Sequence, residues 1–289
     1  MAPAFCARRA AIVGVGAMGG SLGLALKARG LAGEVWGVAR TEATLAGARA
    51  VGAVDRTTSE VEEAVRGADL VVMATPVRAA IALLPRVAAV LRQDCLVTDV
   101  GSTKKEFCEA ARAALPAGAL FVGGHPMAGS EVSGAGAARA DLFEGSTWVL
   151  TPEPDTAMEA MSRAVALARA VGANVLELSP ADHDEMVAAV SHLPHLVATA
   201  LVGVVAARAQ VRPEVGRLAA SGFRDVTRIA RGDPVMWRDI VLTNRAAIAR
   251  VAGEMIEELT RLRALTEAAD AAELEQLFDR ARKARNNMG

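Results

Sequence analysis

The chain has four histidines, at 125, 183, 192 and 195. His125 lies in "GGHPMAGSE" (123–131), a stretch too polar and too rich in glycine to be core. An imidazole at the end of an apolar run is a candidate for proton transfer, although a loop histidine is as often a surface or capping residue. His192 and His195 in "SHLPH" are three apart, so on a helix they share a face. Such a pair invites a metal, but zinc needs further ligands, and neither a cysteine nor a carboxylate set accompanies it. No metal is expected, and neutral hydrogen bonding to a polar substrate suits the pair better. "SGFRDVTRIARGDPVMWRDI" (221–240) adds Arg224, Asp225, Arg228 and Arg231, with Arg224 and Asp225 each about one helical turn before Arg228. Several arginines on a helix are ordinarily a solvated face; the functional reading is a guanidinium that grips a substrate carboxylate in a planar fork.

"IVGVGAMGG" places Gly14, Gly16 and Gly19 in GxGxxG spacing, directly after a strand pattern and at the start of a helix. Glycines in that phase allow a tight turn, close approach of the backbone to a pyrophosphate and close helix–sheet contact, with the helix N-terminus facing the anion. The flanking strands fall where the dinucleotide fingerprint needs them. Thr75, closing the run "ADLVVMAT", is a further candidate cofactor contact. About 20 residues past the last glycine an NAD-preferring site carries Asp or Glu for the ribose 2'-hydroxyl. Here Ala39 stands, followed by Arg40 and Thr41. This removes an anion that would repel a 2'-phosphate and adds a cation able to hold one, so NADP is favoured. NAD stays possible, because Arg40 can also be read as a solvated loop cation and Glu42 is near. In "VTDVGSTKKEF", Thr103 with Glu106 fits a capping box, which leaves the Ser102 hydroxyl free to face a bound nicotinamide.

These residues need a scaffold. From residue 10 to about 124, short runs rich in Val and Ile ("AAIVGVG", "EVWGVA", "ADLVVMAT", "CLVTDVG", "ALFVGG") alternate with helical patterns, which implies a parallel, doubly wound α/β sheet of Rossmann type. "STWVLTP" (146–152) and "ANVLEL" (173–178) are read as extensions of that sheet, with a helix over about 155–171 between them. Beyond Pro180 only helical periodicity remains, giving a dinucleotide-binding domain over 1–179 and an all-α domain over 180–289.

The composition, 52% hydrophobic and 22% charged with net charge −1, carries no electrostatic footprint for nucleic acid or an anionic membrane. Small molecules and copies of the chain itself are the expected partners. Three cysteines without CxxC spacing indicate neither a disulfide framework nor a zinc site, and the protein reads as cytoplasmic. Arg8-Arg9 before an apolar run mimics an export signal, but the glycine phase within the run argues otherwise. "LPHLVATALVGVVAA" (193–207) is shorter than the roughly 18 residues of a membrane span and is read as a buried helix.

Taken together, "GxGxxGG", "TDVGSTK", "GGHPMAGSE", "SHLPH" and "FRDVTRIARGDPVMWRDI" resemble the prephenate/arogenate dehydrogenase family of tyrosine biosynthesis, over about residues 10–285. The resemblance implies oxidative decarboxylation of prephenate or arogenate with hydride transfer to NAD(P), by an intertwined homodimer joined through the helical domain. It implies His125 as the base at the ring 4-hydroxyl, with a pKa near the ordinary 6.5. Ser102 would lie beside that hydroxyl and the nicotinamide, Arg228 on the ring carboxylate, and His195 near the substrate side chain. Glu131 and Asp225 would flank Arg228 in an ionic network. A fused mutase or a regulatory domain is not expected. A β-hydroxyacid dehydrogenase would want a catalytic lysine in the helical half, where only Lys283 stands; a non-catalytic NADPH sensor should have lost His125, Ser102 and Arg228.

Overall fold

The structure, a computed structural model, describes residues 5–129, 132 and 134–288. Six parallel strands form the first sheet: β1 (Ala7–Val13), β2 (Ala32–Val38), β3 (Arg56–Thr58), β4 (Leu70–Met73), β5 (Leu96–Asp99) and β6 (Leu120–Phe121), in the spatial order β3-β2-β1-β4-β5-β6. Helices α1 (Ala17–Ala28), α2 (Glu42–Ala50), α3 (Val61–Val65), α4 (Val77–Ala88) and α5 (Lys105–Ala114) make the crossovers. Because successive strand residues point to opposite faces, Ile12 and Val72 enter the core beneath Leu22 and Leu26, while Val13, Val71 and Met73 enter a second core with Leu84 and Phe107. Burial on both faces explains why these strands read as continuous apolar runs. The short edge strand β3, Arg-Thr-Thr, has no such run and was not legible in the sequence.

The expected extension of this sheet does not occur. "ALFVGG" divides: β6 ends at Phe121, and β7 (Gly123–Pro126) pairs antiparallel with β8 (Thr147–Thr151), which pairs parallel with β9 (Asn174–Glu177) across helix α6 (Met158–Ala170). The chain is turned from one sheet to the other by a buried ion pair. The Lys104 ammonium meets the Asp99 carboxylate and donates to the Gly124 carbonyl (2.8 Å), and Asp99 accepts the Gly124 N–H (2.9 Å). Strand β7 lies so close to the end of β5 that a Cβ on Gly124 would stand 2.7 Å from the Asp99 carbonyl oxygen.

The remaining chain is helical: α7 (Pro180–Val187), a π turn (Ala188–His192), α8 (Leu193–Val211), α9 (Glu214–Arg217), α10 (Ser221–Thr227), a 3-10 turn (Arg228–Arg231), α11 (Pro234–Thr243), α12 (Arg245–Glu267) and α13 (Ala271–Asn287). The run 193–207 is not a buried helix. It belongs to a helical rod, Pro180–Val211, that is long and apolar enough by length and composition to cross a membrane, yet α8 buries only His195 and Ala198. Val204 and Val211 on α8, Ile256 on α12 and Phe278 on α13 are exposed, because this chain folds nothing over them.

Gly124→Ala should therefore destabilise the protein by about 1–3 kcal/mol, since the methyl group meets backbone that cannot move without parting the two sheets. A denaturant midpoint equal to that of wild type would show that the junction has slack.

Candidate functional site

Between β1 and β4 the strand order reverses, which is where open α/β sheets bind ligands. Gly14 turns the chain there with φ +106°, and a Cβ on it would lie 2.6 Å from the Ala74 backbone. Gly19 packs α1 onto this turn, while nothing lies within 4 Å of a Cβ placed on Gly16, so that side is open to a ligand. No side chain caps α1, which leaves its first N–H groups for an anion. The Thr75 Oγ1 is buried without a partner in the same region. An open backbone cradle, a bare helix N-terminus and an orphaned hydroxyl fit a dinucleotide. At the end of β2, Arg40 is exposed and makes no ion pair among the described residues; Thr41 caps α2 by accepting the Thr44 N–H (3.3 Å); and Glu42 is paired with Arg49.

His125 lies on β7 and is 8% exposed. Its Nδ1 is 2.8 Å from His183 Nε2, and His183 Nδ1 is 2.8 Å from Asp184 Oδ1. The same carboxylate accepts the backbone N–H of Lys104 (2.7 Å) and of Lys105 (2.9 Å). Taking two backbone donors, the carboxylate acts as an acceptor toward His183 as well. The protons along the row follow from this. His183 donates from Nδ1 to Asp184, so its Nε2 carries a lone pair. His125 donates from Nδ1 to that lone pair, and its own Nε2 is left as a base. Burial, together with the neighbouring His183, Lys104 and His192, holds the His125 pKa well below 6.5 rather than near it.

The predicted capping box does not form. The Thr103 hydroxyl is buried against that of Thr243 (2.8 Å), and Asp184, 80 residues away, supplies the cap for α5. Ser102 is half-buried just beyond β5, with its hydroxyl outside the cap. His192 and His195 do meet on one side of the rod, both against Trp237: the His195 ring stacks on it at 3.5 Å, and the His192 ring stands edge-on at 6.2 Å. Burial lowers His192 to about 4 and also lowers His195, opposed there by a bond to the Ile229 carbonyl. His192 Nε2 and His195 Nδ1 are buried without partners. Arg228 opens the 3-10 turn and lines, with Phe223, Arg224, Thr227 and Arg231, a cavity of about 290 Å³. Asp225 is exposed and forms no ion pair among the described residues, and Glu131 lies outside them. No group of three or more His, Cys, Asp or Glu suited to a metal occurs among the described residues. From the sequence, Asp184 next to His183 reads as a partner for a substrate ammonium, a cap or a surface salt bridge, and Trp237 is given no role; their contacts with His125 and His195 were not foreseen, nor was the Asp99–Lys104 pair, whose available signal was an Asp and a Lys five residues apart around Gly101.

The sequence matches the model of the prephenate dehydrogenase nucleotide-binding domain over residues 22–177 and that of the prephenate dehydrogenase dimerization domain over 179–280. The chain belongs to the prephenate dehydrogenase family. It is 37% identical over 278 residues to the prephenate dehydrogenase of Bacillus subtilis, covering 96% of this chain and 75% of that protein. The prephenate dehydrogenase of A. aeolicus, solved in complex with hydroxyphenyl propionate and NAD+, superimposes with a TM-score of 0.90 at 33% identity, covering 98% of both chains. Synechocystis arogenate dehydrogenase superimposes with a TM-score of 0.80 at 29% identity over 97% of this chain and 100% of that one. The exposed apolar faces of α8, α12 and α13 thus fall within the family's dimerization domain.

In this family member the buried histidines link stability to pH. The folded pKa values of His125 and His192 lie below the unfolded value near 6.5, so the unfolded state takes up protons first as pH falls. The stability they permit is complete above pH ~6.5 and declines toward their folded pKa values, by up to ~1.4 kcal/mol per pH unit for each. Denaturant midpoints between pH 7.5 and 5 should show this fall, and His192→Gln should make it shallower. A slope that the substitution leaves untouched would mean that His192 does not contribute.

Proposed function

We propose that the protein carries out the oxidative decarboxylation of prephenate or arogenate, forming 4-hydroxyphenylpyruvate or tyrosine, with His125 Nε2 as the base. The observation that carries the reading is the row Asp184–His183–His125, whose order of donors and acceptors leaves His125 Nε2 to act as a base. The nicotinamide cofactor, held by Gly14, Gly16, Gly19 and Thr75, supplies the hydride acceptor when bound.

His125 takes the proton of the ring 4-hydroxyl while hydride leaves C4. The resulting dienone then loses its carboxylate as carbon dioxide, the bonding pair making the ring an aromatic phenolate that takes the proton back from His125, and aromatisation makes the step effectively irreversible. Little covalent work is left to the protein beyond placing the substrate and receiving one proton. As His125 becomes cationic, its Nδ1–H bond to His183 strengthens, and Asp184 at the end of the row stabilises the charge. Removal of the proton is thus favoured in the transition state although burial keeps the resting imidazole neutral. Ser102 is placed beside the hydroxyl and the nicotinamide, supported by its position beyond β5. Arg228 takes the ring carboxylate, with Asp225 and Glu131 around it, supported by the arginine-lined cavity. His192 and His195 face the remaining polar groups of the substrate, supported by their orphaned nitrogens. The exposed apolar helices support a homodimer as the working form, and an aqueous cytoplasmic setting agrees with that form.

His125→Asn, which keeps the shape and removes the base, should lower kcat on the order of a hundredfold or more with substrate KM little changed. Asp184→Asn should lower kcat about tenfold or more through the same row. Full turnover in both variants, measured as nicotinamide reduction, would remove His125 from this role.

NADP is the preferred cofactor on this reading. Ala39 offers no carboxylate to the ribose, Arg40 is exposed beside it and Glu42 is engaged by Arg49. A charge-assisted contact to the 2'-phosphate contributes about 1.5–3 kcal/mol, so NADP should lead by about tenfold or more in kcat/KM. Ala39→Asp should reverse the preference, Arg40→Ala should weaken NADP alone, and high salt should narrow the gap. A wild type that favours NAD, together with an Arg40→Ala variant indifferent to both cofactors, would return Arg40 to the status of a solvated loop residue.

A further inference from the structure

Asn244 joins α11 to α12 and is 7% exposed. Its amide nitrogen makes two contacts, 2.7 Å to the Asp184 carbonyl oxygen and 3.3 Å to His192 Nδ1. The first contact fixes which end of the amide is nitrogen, because an amide oxygen in that place would face a carbonyl oxygen at 2.7 Å. The second proton of the same NH2 group then points at His192 Nδ1, which must accept it. An imidazole that accepts at Nδ1 is neutral and carries its proton on Nε2. That Nε2 is buried and has no partner.

His195 is the next histidine along the rod. Its Nδ1 is likewise buried without a partner, beside Trp237. We infer that Asn244 is a positioning residue that locks His192 in the Nε2–H tautomer, so the site presents a neutral N–H donor at His192. The donor seeks an oxygen lone pair on the ligand, a carboxylate or a carbonyl. The naming of that oxygen as the substrate's rests on the function proposed above; the tautomer does not.

The charged and titratable groups around His192 are Asp184 and His183 on α7, His195 on α8 and His125 on β7; Asn244 and Trp237 bring no charge. Asp184 alone favours a cationic His192, and its carboxylate is already engaged by two backbone N–H groups and His183. Neutrality at His192 also serves His125, because a cation there would oppose the proton that His125 receives.

The test is nitrogen-15 NMR of the full-length protein with labelled histidine. Only four rings need assignment, and His192→Gln identifies one of them. The wild type should show His192 as the neutral Nε2–H tautomer at pH 7. Asn244→Asp replaces the donor with an acceptor, so His192 should become the Nδ1–H tautomer or the imidazolium. The KM for prephenate or arogenate should then rise about tenfold, the loss of one hydrogen bond to a charged group, while the KM for the nicotinamide cofactor stays unchanged. A wild-type His192 protonated on Nδ1 overturns the inference, and that spectrum decides even if the variant fails to fold. Unchanged His192 signals in a folded Asn244→Asp variant overturn it as well. The expected tautomers with an unaltered substrate KM would overturn the ligand oxygen and leave both Asn244 and the function of His125 standing.

Discussion

The Asp184 carboxylate is the point on which the molecule's two halves agree. It belongs to the first helix of the C-terminal half, yet it caps α5 of the nucleotide half and holds His183 through Nδ1. A buried carboxylate without such donors would be costly and would tend to neutralise. With two main-chain N–H groups and an imidazole it is satisfied, and the same bonds set the distance between the halves. Positioning and proton placement therefore share one anchor: a shift of the helical rod that loosened the cap on α5 would also disturb the row behind His125.

A second buried charge pair does complementary work on the other side of His125. Asp99 and Lys104 hold both the N–H and the carbonyl of Gly124, one residue before the histidine. Such pairs contribute little net stability compared with apolar packing, and their value lies in fixing one arrangement. Here that arrangement takes β7 out of the large sheet and brings His125 against His183. The histidine is thus gripped through its main chain by the nucleotide half and through its ring by the helical half.

The N-terminal half was largely legible in the sequence because two signals coincided there, apolar runs of strand length and glycines whose phase suits a strand–turn–helix. What escaped were features set by distant partners. The runs 146–152 and 173–178 look like any buried strands, and nothing local says that β8 pairs antiparallel with β7. The Thr103–Glu106 spacing satisfies a capping rule, but a carboxylate 80 residues away caps the helix instead and frees Thr103 for Thr243. His125 and its base role followed from motif and resemblance, whereas the His183 contact spans 58 residues and its signal, an adjacent His-Asp, is too common to read alone. The apolar run of α8 was read as core because a single sequence does not distinguish an interior from a face left for another molecule.

The π turn at Ala188–His192 has a bearing on how this family can vary. A π turn holds one residue more than the α-helical turn it replaces, so it behaves as a single-residue insertion accommodated without a break in the rod. Each residue of an α-helix advances the side-chain direction by about 100°, the consequence of 3.6 residues per turn. Deleting one residue from 188–192 would restore a regular helix and leave α7 with His183 and Asp184 in place. Because the π turn spends its extra residue within one turn, the segment beyond it would keep nearly its present direction, and the change would be confined to 188–192, where the placement of His192 would shift. A one-residue gap inside the π turn would therefore spare the direction of α8 and disturb only His192, whereas the same gap elsewhere in the rod, with no spare residue to give up, would turn everything beyond it by about 100°.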